Sequence, residues 1–269
     1  MEQRLDYYTL IGFAPETAAP EDLDTLAVQA DDTALFLDFD GTLVDIAETP
    51  SAVSVSTRDT QLMDQLSRRH SNAVAIISGR NLHEIEHFLS DFAGTISGGH
   101  GAELRHAGER LPGIDCDFER LEHIKNAVME FAIIDPRVIA EDKSFGIVLH
   151  FRQHPELESK VHDFLKCLVN EEDGFELQSA KMAFEIKPKG VSKANAIERI
   201  MQFEGFAGRT ILFAGDDETD ETAFSWVNAQ GGLSVKIGDG PTIAQYRTAS
   251  PTTLKKWLRS QPDASRREA

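Results

Sequence analysis

Three short runs of apolar residues constrain the fold of this chain more than any other feature. They are Ala34–Leu37, Ala73–Ile77 and Thr210–Ala214, and each has the length of a buried strand. Helical periodicity lies between them, for example over residues 57–69. Strands that alternate with helices predict a parallel sheet with helices on both faces. The predicted fold class is therefore α/β, with a doubly wound core.

Polar residues follow each of these runs at the point where the predicted strand ends. Asp38 follows the first run, Ser78 the second, and Gly215-Asp216 the third. In open parallel sheets, ligands bind beyond the carboxyl ends of the strands. The sequence thus predicts a functional site at this edge of the sheet.

Residues 111–187 show a different order of elements. The pattern predicts helix, strand, strand, helix, strand and strand, at 117–131, 137–142, 145–151, 156–169, 175–180 and 182–187. We interpret this segment as an inserted α/β cap domain of αββαββ type. The core then comprises residues 33–110 and 188–269, and residues 1–32 form an N-terminal extension.

The charge balance excludes some classes of function. The chain has 27 Lys and Arg residues against 45 Asp and Glu residues, a net charge of −18. A nucleic-acid or anionic-membrane binder needs a clustered basic face, so neither partner is expected. Cys116 and Cys167 lack the spacing of a zinc site or disulfide framework. Neither a secretory signal nor a membrane-spanning apolar run is recognised, so the expected location is cytoplasmic.

The segment Asp38-Phe39-Asp40-Gly41-Thr42-Leu43 carries the strongest chemical signal. Two carboxylates at this spacing can divide the work of phosphoryl transfer: Asp38 as the nucleophile and Asp40 as the acid and base. Gly41 permits a tight turn between them and the next residues. The alternative reading is an acidic turn that only caps a strand.

This segment resembles motif I of the haloacid-dehalogenase-like phosphatase superfamily. The other three motifs follow in order, with Ser78 in motif II, Lys193 in motif III and Asp216 in motif IV. Ser192 is the predicted N-cap of the helix that Lys193 begins. The resemblance implies an aspartyl-phosphate intermediate on Asp38 and Mg²⁺ as the cofactor.

The same resemblance implies a role for each matching residue. Three residues are expected to hold the ion: Asp38, Asp40 and Asp216. Four residues are expected to bind the phosphoryl group: Thr42, Ser78, Gly79 and Lys193. Asp217 and Asp220 are expected to lie around the ion, and their spacing leaves open whether either touches it or only orients its waters.

The last predicted strand of the cap has two different faces. Alternation places Met182, Phe184 and Ile186 toward the cap helices, and Lys181, Ala183 and Glu185 toward the cleft. A lysine and a carboxylate on one strand can donate to and accept from adjacent sugar hydroxyls. The alternative is a cross-strand ion pair on a solvated sheet face.

Three segments together resemble the trehalose-6-phosphate phosphatase family: residues 99–103 (GHGAE), the KxxxE strand, and residues 215–221 (GDDETDE). The resemblance covers roughly residues 33–250. It implies hydrolysis of trehalose 6-phosphate, the last step of trehalose biosynthesis. The implied ligands of the distal glucose are Glu103, Lys181 and Glu185, with Arg152 and His150 as further candidates. His100 either contacts substrate or packs within its own turn.

Two alternatives remain at the level of sequence. One is a related capped phosphatase that acts on sucrose phosphate or mannosyl-phosphoglycerate. The other is a sugar-binding homologue that has lost turnover. Since no synthase domain is attached to the chain, the expected functional partner is a separate trehalose-6-phosphate synthase.

Overall fold

A computed structural model of the chain describes residues 19–46, 53–114, 116–169, 174–180 and 182–262. The chain divides into two compact units. The first unit comprises Met1–Ile76 and Met201–Ala269, and the second comprises Ile77–Ile200. Lys181 lies outside the described residues.

Strands and helices are numbered here in chain order. The strands are β1 (Glu21–Asp22), β2 (Thr33–Asp38), β3 (Val74–Ile77), β4 (Thr95–Gly98), β5 (Glu103–His106), β6 (Glu109–Leu111), β7 (Ile139–Lys143), β8 (Gly146–His150), β9 (Phe175–Ala180), β10 (Ala183–Pro188), β11 (Thr210–Gly215), β12 (Leu233–Ile237) and β13 (Tyr246–Thr248). The helices are α1 (Thr57–Arg69), α2 (Leu82–Phe88), α3 (Phe118–Ile134), α4 (Glu158–Leu168), α5 (Lys193–Ile200), α6 (Thr219–Ala229) and α7 (Pro251–Ser260).

The first unit contains a parallel sheet in which β2 is an inner strand. The strand order is β1-β13-β12-β11-β2, and every neighbouring pair is parallel. On the other side of β2, the Leu35 N–H donates to the Ala73 carbonyl at 2.9 Å. All six residues of β2 are buried, which explains its continuous apolar run. The predicted α/β class is confirmed.

The register of β2 and β11 determines where the first functional residues meet. Leu37 pairs with Ala214 across the two strands. Both strands end within a residue or two of this pair, at Asp38 and Gly215. The acidic residues that follow the two strands are therefore neighbours in space.

Side-chain caps explain why α1 begins where the sequence predicts. Ser56 accepts from the Asp59 N–H at 3.3 Å, and Asp59 accepts from the Ser56 N–H at 3.1 Å, which makes a capping box. Asp59 also pairs with Lys255 of α7 at 2.9 Å. Leu62 and Leu66 are buried on the inner face of α1, as their spacing indicates.

The second unit contains an antiparallel sheet with the strand order β7-β8-β10-β9. Helices α3 and α4 contribute to the same core. Its buried members are Leu121, Ile124, Val128, Val138, Ile147, Leu149, Phe151, Leu157, Val161, Leu165, Phe175, Phe184 and Ile186. The element order over 118–188 is the predicted αββαββ. The cap borders at 111 and 187 stay a prediction.

The structure adds a hairpin and two short strands that the pattern does not predict. Strands β5 and β6 pair through a turn in which Ala107 and Gly108 have φ of +50° and +81°. Two positive φ angles suit a tight hairpin turn, but alanine is an unusual residue there, so the signal is weak. In the extension, residues 19–32 include β1, which pairs with β13.

Within the described ranges, none of the helices combines the length and the apolar character needed to cross a bilayer.

Candidate active site

Asp38 closes β2, and the chain turns sharply after it. The N–H groups of Leu43 and Val44 both donate to the Phe39 carbonyl at 3.0 Å. Gly41 has a φ of +74°, and its N–H donates to the Val44 carbonyl at 2.8 Å. A side chain in this left-handed conformation costs roughly 1–2 kcal/mol. The predicted tight turn at Gly41 is confirmed.

A second acidic loop follows β11. Asp220 is buried in the first turn of α6 and accepts from the N–H groups of Asp216 and Asp217, at 3.0 and 3.1 Å. Asp217 caps the same helix, since its Oδ1 accepts from the Thr219 N–H at 2.8 Å. Both carboxylates therefore shape the loop that carries Asp216. Their expected effect on the waters of a bound ion stays a prediction.

The two loops bring three carboxylates together. Asp38, Asp216 and Asp220 each offer one oxygen, and these oxygens lie within 4.8 Å of one another. The Thr42 hydroxyl is 3.5 Å from Asp216 Oδ1. Mg²⁺ prefers oxygen ligands and is commonly bound by carboxylates, so the chemistry of these residues fits such an ion.

The acidic group differs in one member from the expected ligand set. The group contains Asp220 in place of Asp40, and this favours a position of the Asp220 carboxylate close to the ion. Metal binding by Asp40, which is half-buried, is not tested by this grouping and stays a prediction. Phosphate binding by Thr42 likewise stays a prediction.

Lys236 lies beside the same loop and was missed at the sequence level. It stands on β12 in register with Gly215. Its ammonium donates to the Asp216 carbonyl and lies 3.5 Å from the Asp217 carbonyl. Glu221 Oε1 is 3.9 Å from Lys236 Nζ. Burial raises the pKa of the Glu221 carboxyl, and the nearby lysine opposes that rise.

A signal for Lys236 exists in the sequence. Lys236 stands among the apolar residues Val235 and Ile237, and a lysine in a buried strand needs a partner of opposite charge or several acceptors. Only the register of β11 and β12 identifies those acceptors, because they lie about twenty residues earlier in the chain.

In the second unit, Ser78 forms a turn with its neighbours. Its hydroxyl accepts from the Arg80 N–H at 3.1 Å, and its carbonyl accepts from the His100 N–H at 2.9 Å. A Cβ added to Gly79 would lie 2.6 Å from two atoms of the His100 ring. His100 therefore packs on this turn, and a larger residue than glycine does not fit at 79. Phosphate binding by Ser78 and Gly79 stays a prediction.

Glu103 supports the helix after this turn. Its Oε2 accepts from the Leu82 N–H, the first of α2, at 2.8 Å. Asn81 caps the same helix by accepting from the Glu84 N–H at 2.9 Å. Glu103 thus has a structural contact of its own, and its expected contact with glucose stays a prediction.

Lys193 begins α5 and is buried. Ser192 accepts from the Asn195 N–H at 3.1 Å, so the predicted N-cap is confirmed. The loop before it is held by Lys187, whose ammonium donates to the Val191 carbonyl at 2.6 Å. Phosphate binding by Lys193 stays a prediction.

The two faces of β10 agree with the predicted alternation. Phe184 and Ile186 belong to the core, and Met182 packs against it. Glu185 lies on the opposite face, 3.4 Å from Lys143 Nζ on β7. This cross-strand ion pair was the alternative reading of Glu185, and a sugar ligand can use both groups.

Arg152 and His150, two further sugar-binding candidates, lie on or near the same sheet. Arg152 is exposed just beyond β8. His150 Nε2 is 2.8 Å from Glu141 Oε2, across β7 and β8. The predicted ligand Lys181 lies outside the described residues. Sugar binding by Arg152, His150 and Lys181 stays a prediction.

The chain is similar to known proteins over most of its length. Residues 36–256 match the trehalose-phosphatase family. The chain is 36% identical over 230 residues to a protein of Sinorhizobium fredii (strain NBRC 101917 / NGR234) named "Probable trehalose-phosphate phosphatase", covering 84% of this chain and 85% of that protein. It is 34% identical over 233 residues to the trehalose-6-phosphate phosphatase of Escherichia coli (strain K12), with the same coverage of 84% and 85%.

Solved structures agree with these relatives. A trehalose-6-phosphate phosphatase related protein superposes with a TM-score of 0.64 at 27% identity, over 84% of this chain and 95% of that chain. A haloacid dehalogenase-like hydrolase from B. subtilis superposes with a TM-score of 0.59 at 15% identity, over 84% and 99%. The second likeness concerns the fold alone.

Proposed function

This chain belongs to the trehalose-phosphatase family, whose members are phosphoric monoester hydrolases, and we propose that it hydrolyses trehalose 6-phosphate through a phosphorylated Asp38. The products are trehalose and phosphate, in the last step of trehalose biosynthesis. The observation that supports the chemistry best is the group of Asp38, Asp216 and Asp220, which lies where the adjacent strands β2 and β11 end. The names of the relatives support the substrate.

Two carboxylates carry the covalent steps. An oxygen of Asp38 attacks phosphorus, and the bond between phosphorus and the sugar oxygen breaks. Asp40 gives its proton to that sugar oxygen, which leaves as the trehalose hydroxyl. Asp40 then takes a proton from water, and the water oxygen attacks the phosphorus on Asp38. Free phosphate leaves, and the Asp38 carboxylate is restored.

Asp38 and Asp216 would hold Mg²⁺, with Asp220 beside them and Asp40 as the further ligand implied by the family. When bound, the ion offsets the negative charge of the attacking carboxylate and of the phosphoryl oxygens. Asp220 keeps the loop of Asp216 in shape through two main-chain hydrogen bonds. Glycine at position 41 allows the main chain of the turn to lie close to Asp216, since a larger residue would clash with that carboxylate.

The remaining residues recognise substrate in this proposal. Four of them bind the phosphoryl group: Thr42, Ser78, Gly79 and Lys193. Four bind the sugar: Glu103, Arg152, Lys181 and Glu185. The sugar phosphate is supplied by a trehalose-6-phosphate synthase as the functional partner. The cap, proposed as residues 111–187, excludes water from the bound disaccharide.

The substrate assignment is tested with a panel of sugar phosphates. Phosphate release is measured from trehalose 6-phosphate, sucrose 6-phosphate, mannosyl-phosphoglycerate and glucose 6-phosphate under identical conditions. We expect trehalose 6-phosphate to give the highest kcat/KM. A preference for another member would reassign the substrate, and binding without release would indicate a sugar-binding homologue.

Removal of metal is expected to stop hydrolysis. In excess EDTA, phosphate release should fall by about three orders of magnitude, because the ion supplies several kcal/mol of charge stabilisation in such reactions. Added Mg²⁺ should restore the rate. Metal should also raise the unfolding temperature by mass action, a readout that needs no turnover. Full activity in EDTA would remove Mg²⁺ from the mechanism.

Glu185→Ala is expected to affect the natural substrate selectively. Loss of a carboxylate that bonds a sugar hydroxyl costs about 1.5–3 kcal/mol, so kcat/KM for trehalose 6-phosphate should fall about 10- to 100-fold. Hydrolysis of p-nitrophenyl phosphate, which has no sugar, should change less than about twofold, since Glu185 is not proposed to touch the phosphoryl group. Both rates are measured on the same preparation.

Glu176→Ala is the matched control for this variant. Glu176 lies on the neighbouring strand β9 and pairs with Lys187 at 3.6 Å, much as Glu185 pairs with Lys143. The Glu176→Ala substitution should leave the hydrolysis of trehalose 6-phosphate and of p-nitrophenyl phosphate near the wild-type rates. Equal losses on the two substrates in Glu185→Ala would mean that this strand does not select the sugar.

A further inference from the structure

Lys236 takes no part in the chemistry described above, yet its ammonium lies against the acidic loop. Only 5% of the residue is exposed. A buried ammonium is costly unless acceptors surround it. Its acceptors are the carbonyl oxygens of Asp216 and Asp217, and its nearest opposite charge is the Glu221 carboxylate, 3.9 Å away. Main-chain carbonyls of the metal loop are therefore the closest partners of this charge.

Asp216 is consequently held at both ends of its own main chain. Its N–H donates to Asp220 Oδ2 at 3.0 Å, and its carbonyl accepts from the Lys236 ammonium. With both peptide groups fixed, only rotation about the side-chain bonds can redirect the Asp216 carboxylate. Groups that fix the orientation of a ligand in this way typically raise metal affinity.

Glu221 balances the charge of this lysine. Its Oε2 accepts from the Ile243 N–H at 3.0 Å. Its Oε1 is buried, has no hydrogen-bond partner among the described residues, and lies 3.9 Å from Lys236 Nζ. Lys236 and Glu221 together add no net charge beside the acidic group.

We propose that Lys236 is a positioning residue of the metal site, which fixes the direction of the Asp216 carboxylate through the carbonyls of Asp216 and Asp217. This role rests on the proposed function, because it assumes that a divalent cation binds at Asp38 and Asp216. A positioning role and a purely electrostatic role of Lys236 predict opposite effects of its removal on the affinity for the cation. Loss of a positive charge near a cation site should tighten cation binding, whereas loss of the clamp should weaken it.

The test uses Mn²⁺ as the probe, because free Mn²⁺ can be followed by electron paramagnetic resonance without any turnover. The dissociation constant is measured for the wild type, for Lys236→Met and for Lys236→Met/Glu221→Gln. The double variant leaves no unpaired carboxylate in the core, so it keeps the test valid where the single variant folds poorly. We expect both variants to bind Mn²⁺ about 10- to 100-fold more weakly than the wild type.

Lys255→Met is the matched control. Lys255 is another largely buried lysine of the first unit, paired with Asp59 at 2.9 Å. The Lys255→Met substitution should lower the unfolding temperature of the metal-free protein and leave the Mn²⁺ dissociation constant unchanged. An equal loss of affinity in Lys255→Met would mean that stability, not position, sets the affinity, and would overturn the role.

The outcomes separate this role from the metal assignment itself. Wild-type affinity in Lys236→Met, or tighter binding, would overturn the positioning role alone. Recovery of affinity in the double variant would also overturn it, since the lysine would then act only by neutralising Glu221. Absence of Mn²⁺ binding in the wild type would overturn the metal assignment and this role together.

Discussion

Asp38→Asn is expected to lower kcat for trehalose 6-phosphate by about four orders of magnitude or more, as losses of a covalent nucleophile do in other hydrolases. The amide has almost the same shape as the carboxylate but cannot accept the phosphoryl group. The fold should survive, because the substitution removes one negative charge from a group of three neighbouring carboxylates. Phosphate release and the unfolding temperature of the metal-free protein check both statements.

A chemical trap identifies the phosphorylated side chain directly. Borohydride reduces an aspartyl phosphate to homoserine. Enzyme that is quenched with acid during turnover and then treated with borohydride should therefore contain homoserine at position 38. Asp45→Asn, an exposed aspartate a few residues later, should retain activity and the modification at 38. Homoserine at another position, or full activity in Asp38→Asn, would refute the proposed mechanism.

Gly41→Ala is expected to lower kcat by about two orders of magnitude, although alanine adds only a methyl group. That methyl would lie 2.7 Å from Asp216 Oδ1 and closer still to Oδ2. The Asp216 carboxylate must therefore move, and a displacement of this size at a reacting centre is costly. Kinetics and the Mg²⁺ concentration needed for half-maximal activity provide the measurement.

Gly208→Ala separates this clash from backbone strain. Gly208 has a φ of +78°, close to the +74° of Gly41, but a Cβ there meets nothing within 4 Å. Both variants should lose about 1–2 kcal/mol of stability from the left-handed conformation. Only Gly41→Ala should lose activity. If the two lost activity equally, the contact between position 41 and Asp216 would not matter.

Much of the fold could be predicted from local patterns. The bounds of α1 were predicted from the spacing of Leu62 and Leu66, and the structure shows that a capping box at Ser56 sets its start at Thr57. The strand β2 was predicted because an inner parallel strand is buried on both faces and reads as an apolar run. The hairpin of β5 and β6 was not, because Ala107-Gly108 is a weak turn signal.

The site was less predictable, because its contacts connect residues that are distant in sequence. The sequence predicts that Asp38 and Asp216 lie at the carboxyl ends of strands, and the pairing of β2 with β11 in the structure makes these two ends neighbours. Lys236 was missed because its partners depend on a third strand. Glu103 was expected to face substrate, and nothing local indicates that its carboxylate accepts from the Leu82 N–H.

The position of β2 inside its sheet has a consequence for how activity is lost. Every residue of this strand is buried, and its main chain is bonded to a neighbour on each side. Such a strand exchanges its amide hydrogens only when the whole cooperative unit opens. Heat or denaturant should therefore leave Asp38, at the end of this strand, in place until the first unit unfolds as a whole. Loss of activity and unfolding of the first unit should then have the same midpoint in temperature or denaturant concentration.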